Sequence, residues 1–156
     1  MNLWKRYELG RKGQVPSEKL ALHFEKGIEP ELRKLFLRFA NWLRHKYCIP
    51  VSLNIYIKDC EKIRLVGGEM AYGGFRYFED RPPYIRIPAR IEPWLREEEE
   101  ELDIYYSILG SLIHELTHYF QWVSELEQSD SASERQANYY RFRILKQFCK
   151  DNGMPY

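Results

Sequence analysis

Apolar positions recur at three- and four-residue spacing from Glu29 to Tyr47, where Leu32, Leu35, Phe36, Phe39, Leu43 and Tyr47 form one stripe. Arg33, Lys34, Arg38, Arg44 and Lys46 fall mainly on the other side. This spacing predicts an amphipathic helix, with Pro30 suited to its first turn and Ile49-Pro50 ending it. The period then changes. Val51, Leu53, Ile55 and Ile57 alternate with polar residues up to Lys58, as in a strand with one buried face. Arg64–Val66 and Glu69–Tyr77 read as further strand material, interrupted by Gly67-Gly68 and Gly73-Gly74 as turns or bulges. Tyr84, Ile85, Arg86 and Ile87 make a short strand between Pro82-Pro83 and Pro88. Because proline cannot donate to a ladder, this strand is expected at a sheet edge.

Two long helices follow. The first is expected from near Leu102 to Val123, after an acidic run (Glu97–Glu101) that complements the positive end of a helix dipole. The second, after the connection Glu125–Ser133, is expected to run to about Lys150. Residues 1–28 are the least regular part, with a basic, glycine-punctuated start and a short helix predicted from Ser17, as N-cap, to Phe24. They are read as an N-terminal extension to a single domain over 29–156. The fold class is α+β: a small mixed sheet packed on helices.

Composition removes several classes of function. With 44% apolar and 15% aromatic residues, disorder is not expected. Net charge is +1, so bulk charge signals no nucleic-acid binding. Three widely spaced cysteines, no membrane-length apolar run and no signal-peptide core fit a cytosolic chain whose metal sites, if any, are not built from thiolates.

The chemistry lies on the first long helix, in His114-Glu115-Leu116-Thr117-His118. Residues i and i+4 sit nearly one above the other on a helix, so both imidazoles can reach one cation while Glu115 stays beside it. A shuffled chain of this composition would contain H-E-x-x-H with a chance of roughly 1%. Helical phase adds an independent argument. Leu102, Leu109, Leu112, Ile113, Leu116, Phe120 and Val123 fall together about 180–260° from His114, whereas His118 falls about 40° from it. The histidines thus face away from the leucine core, toward solvent or a polar-lined cleft.

A catalytic zinc site usually takes three protein ligands and keeps one position open. No histidine follows His118, so the third ligand must be a carboxylate. Glu134 is the best placed, since on its own helix it shares a face with Ala137, Ile144, Leu145 and Phe148 and should point inward. The competing role is a Ser131-x-x-Glu134 capping box. Asn138, one turn on, would support the carboxylate by a hydrogen bond. Tyr139 or Tyr140 would donate to a developing oxyanion.

His114-Glu115-Leu116-Thr117-His118 followed by Glu134-Arg135-Gln136-Ala137-Asn138 resembles the gluzincin-type zinc metallopeptidases. It is most similar to their minimal soluble forms and to the ImmA/IrrE-like metallopeptidases, over about 25–35 residues. The resemblance implies a zincin-like fold, one Zn²⁺ per chain and a peptide or protein substrate. It implies Glu115 as general base and an edge strand, here Tyr84–Ile87, that pairs with extended peptide. As the alternative, it leaves open a catalytically silent or latent zincin that works with a regulatory protein partner. A two-histidine, one-carboxylate set would also take Mn²⁺, Fe²⁺ or Co²⁺.

Overall fold

The computed structural model describes residues 2–10 and 18–156. A 3₁₀ turn (Trp4–Tyr7) is followed by β1 (Leu20–Phe24), α1 (Pro30–Lys46), β2 (Leu53–Lys58), β3 (Ile63–Arg64), β4 (Met70–Ala71), β5 (Gly74–Arg76) and β6 (Tyr84–Pro88). Three helices complete the chain: α2 (Pro93–Glu98), α3 (Glu101–Val123) and α4 (Asp130–Asp151). The main sheet has the order β1-β2-β6-β5. Its first two pairings are parallel and the last, β6 with β5, is antiparallel. A separate two-stranded ribbon joins β3 and β4. No described helix is long and apolar enough to cross a membrane.

Among the described residues, helices cover one face of the sheet, and the β3–β4 segment reaches the other at Gly74 and Arg86. Leu53, Ile55, Ile57, Ile85 and Ile87 are buried on the side where α1 and α3 pack, joining Phe36, Phe39, Leu112, Ile113, Leu116 and Phe120 in one core. The alternation along β2 is therefore what the period-two pattern requires, with Tyr56 on the other face. Helix α1 begins with Pro30 in its first turn and ends at Tyr47, whose N–H bonds the Leu43 carbonyl. The acidic run spans the break between α2 and α3, leaving Glu101 and Asp103 in the first turn of α3. Leu102 lies outside the leucine stripe's core and is 36% exposed.

Three expectations are corrected here. Leu20–Phe24 is a strand, not a helix. It pairs in parallel with β2, from Leu20↔Leu53 to Phe24↔Ile57, and so closes a strand–helix–strand unit with α1. Ser17, the expected cap, lies outside the described residues.

Tyr84–Ile87 is not at the edge. It lies between β2 and β5, because the prolines flank the ladder instead of interrupting it: Pro83 supplies a carbonyl to the Asn54 N–H and Pro88 is the last register position. The antiparallel edge strand is β5.

The residues before Glu29 also share the common core. Trp4 is 1% exposed and Leu20 3%, and the Trp4 indole donates to Thr117 Oγ1 at 3.0 Å.

Candidate metal centre

His114 and His118 project from the middle of α3 on the side away from Leu109, Leu112, Ile113 and Leu116, as helical phase requires. Their Nε2 atoms lie 3.2 Å apart. Glu134, in the second turn of α4, places Oε2 at 3.1 Å from His114 Nε2 and Oε1 at 2.8 Å from His118 Nε2. These three residues offer ligand atoms that all lie within 4.8 Å of one another and could hold a metal ion. Ligands at 2.0–2.1 Å from a tetrahedral Zn²⁺ are about 3.3 Å apart, so the observed spacings fit a small divalent cation. Without one, two imidazole nitrogens and a carboxylate converge with too few protons to satisfy every pairing. Burial, and next the neighbouring His118, hold the His114 pKa below its ordinary value, against the pull of Glu134. A neutral ring with a lone pair is the form a metal requires.

Glu134 reaches the cluster otherwise than expected. Its side chain is 56% exposed, at the mouth of the cleft, not inward among Ala137, Ile144, Leu145 and Phe148. Helical phase gives the direction of a residue but not its depth, and here α3 and α4 part to form the cleft. The capping alternative fails, because the N-cap of α4 is Ser129, whose hydroxyl accepts from the Ala132 N–H at 3.1 Å. Glu134 is then too far along the helix for a capping box.

The hydrogen bonds that orient the ligands come from residues the sequence reading did not single out. Gln121 Oε1 accepts from His118 Nδ1 at 2.8 Å, which fixes that ring's proton on Nδ1 and leaves Nε2 for a metal. Ser133 Oγ donates to the same Gln121 oxygen at 2.7 Å. Gln121 Nε2 in turn donates to the Ser133 carbonyl and to Gln136 Oε1. The signal was present as the i, i+3 spacing of His118 and Gln121 on one helix face. Asn138, expected to support Glu134, is instead exposed. Gln121→Leu is expected to lower metal affinity roughly 10–100-fold, measured by competition with a chromogenic chelator.

Glu115 is 8% exposed and sits between α3 and the edge strand. Phe75 on that strand also borders the same cleft. Burial is the chief cause that pushes the Glu115 pKa up to about 7, partly offset by His118 and Arg141 and reinforced by Glu134. Gly73 makes this placement possible. A Cβ there would lie 3.2 Å from Glu115 Cγ and Oε2 and 3.3 Å from Ile87 Cδ1. Gly73→Ala is expected to shift the carboxylate by a few tenths of an ångström. Any hydrolytic rate should then fall by about tenfold with metal content unchanged, less than the ~10²-fold of a full 1 Å misplacement.

The cluster opens into a cleft of about 930 Å³. One wall is β5 with Phe75, Tyr77 and Trp122, the last two stacked with centroids 5.6 Å apart. The other is the start of α4, with Asp130, Ser133 and Glu134. Neither tyrosine expected as an oxyanion donor lines this space. Tyr139 is 45% exposed elsewhere on α4, and the buried Tyr140 hydroxyl accepts from the Leu3 N–H at 2.9 Å. Tyr77 is the tyrosine in the cleft lining. None of the described residues in 2–10 or 151–156 lines the cleft. The chain matches no protein-family model, no curated protein and no solved structure.

Proposed function

We propose that this chain is a metal-dependent peptide hydrolase of the gluzincin kind, with Zn²⁺ held by His114, His118 and Glu134 and with Glu115 as general base. The observation that carries this reading is the convergence of those three side chains, at 2.8–3.2 Å, beside a buried carboxylate at the floor of an open cleft. A Zn²⁺ bound there would act as a Lewis acid and make water acidic enough to react near neutral pH.

Glu115 is suited to take a proton from water and return it to a leaving amine, as a carboxylate that lines the same cleft as His114, His118 and Glu134. Substrate would lie along β5, the antiparallel edge of the sheet, whose outer side has no partner strand among the described residues. An extended peptide adding to that edge would cross the cleft beside Glu115, with a side chain against Tyr77 and Trp122. The substrate strand assigned to Tyr84–Ile87 thus passes to Gly74–Arg76.

The test is casein hydrolysis by the purified chain with one equivalent of Zn²⁺, after chelation and after Zn²⁺ is restored. Activity that disappears and returns is expected. Stoichiometric metal binding without cleavage would reject the peptidase reading in favour of a silent binding protein.

A further inference from the structure

The face of the main sheet opposite α1 and α3 carries an ordered set of rings and cations unrelated to the metal cleft. The register places His23, Tyr56 and Arg86 side by side across β1, β2 and β6. A second row, Asn54, Tyr84 and Arg76, crosses β2, β6 and β5. His23 and Tyr56 are stacked with centroids 4.8 Å apart and planes 19° apart. Tyr84 meets Tyr56 edge-on at 6.0 Å and Phe78 at 5.7 Å. No helix among the described residues covers this face, and the β3–β4 segment reaches it at Gly74 and Arg86; α1 and α3 pack on the other. Beside Tyr84, Arg76 and Arg86 border a cavity of about 320 Å³.

Glu69 borders the same cavity as Arg76 and Arg86 without pairing with either. Arg76, Arg81 and Arg86 make no ion pair among the described residues. Each guanidinium lies over a ring, Arg76 and Arg81 on Phe78 and Arg86 on Tyr84, and Arg86 also donates to the Arg64 carbonyl at 2.8 Å. The one carboxylate at the end of β1, Glu25, is already bound to Lys58 and the Asp59 N–H. Adjacent Glu79 and Asp80 lie on the loop before β6, outside both rows. A sheet surface with aromatic rings on neighbouring strands and arginines free of ion pairs at their edges offers π-faces to bases and positive charge to phosphates.

We infer that this face binds single-stranded nucleic acid, with bases on Tyr56 and Tyr84 and phosphates near Arg76, Arg81 and Arg86. A duplex is a poorer fit, since its bases are already stacked on each other and the rings would have nothing to receive. Overall charge gave no hint of this, because the +1 net balance averages the face with the acidic run before α3.

The probe is a fluorescein-labelled oligonucleotide of about 12 nucleotides, read by polarisation at about 50 mM salt, beside its duplex. The single strand is expected to bind at least about tenfold more tightly than the duplex. Tyr56→Ala should lose roughly 5–100-fold in affinity and Tyr56→Phe almost none, because stacking needs the ring and not the hydroxyl. Arg81→Gln, on an exposed loop where folding is not at risk, should reduce the salt slope by about 0.7. Equal affinity for duplex and single strand, Tyr56→Ala binding like wild type with native circular dichroism, or Tyr56→Phe losing as much as Tyr56→Ala would each overturn the inference. Preference for anionic lipid vesicles over the oligonucleotide would do the same.

Discussion

Glu134→Ala is expected to abolish stoichiometric metal binding near neutral pH, while the helices and sheet remain intact. Glu134 contacts both histidines, at 3.1 and 2.8 Å, and nothing else on α4 approaches their Nε2 atoms as closely. Its side chain is 56% exposed, so truncation leaves no core cavity. The loss in metal affinity should exceed the roughly 10–100-fold expected of Gln121→Leu, which only removes orientation. Equilibrium dialysis against Zn²⁺, followed by metal analysis, would read the difference. Retention of metal at wild-type affinity would show that Glu134 is not a ligand.

Glu115→Gln has the opposite profile. Metal should stay bound at one per chain, while any peptide hydrolysis falls on the order of 10²–10⁴-fold, the range of a lost general base. Stability of the metal-free protein should move the other way. The folded-state pKa of Glu115 is about 7, raised above the ordinary 4.5 chiefly by burial. The neutral acid therefore favours the fold; that contribution is full below about 4.5 and is lost as pH rises through about 7. At pH ~8 the metal-free Gln variant should be the more stable by on the order of 3 kcal/mol, and the gap should close near pH ~4.5. Chemical denaturation of the two metal-free proteins at both values would measure it. A nearby divalent cation would oppose the difference by favouring the carboxylate.

Much of this site was legible before any coordinates. Regular spacing of Leu35, Phe39 and Leu43 marks α1, and the phase of Leu109, Leu112 and Leu116 puts His114 and His118 on the opposite side of α3. The errors have specific causes. Leu20, Leu22 and Phe24 alternate as a strand should, but Ser17 drew attention as a cap and the run is too short for either period to dominate. The prolines around Tyr84–Ile87 were read as barriers to pairing although they lie at its ends. Gln121, Ser133 and Gln136 form their network only because α4 folds back on α3, and pairing across a 12- to 15-residue separation has no local pattern. The ring-and-arginine face is similar in kind, since its rows exist only once strand order and register are known.

The Trp4–Tyr7 turn has a consequence for the order in which the molecule can be built. Leu3 bonds Tyr140, Trp4 bonds Thr117 and Tyr7 meets Ser124, partners separated by 137, 113 and 117 residues. The support behind the metal-binding helix thus joins residues more than 110 positions apart. A nascent chain halted before α4 emerges from the ribosome can form β1, α1 and β2, yet it has no Tyr140 to receive Leu3 and no Glu134 to complete the cluster. Contacts of such span slow the search for the native state. Metal capture is therefore expected only after α4 has been made, with the histidines already paired on their helix and the glutamate arriving last.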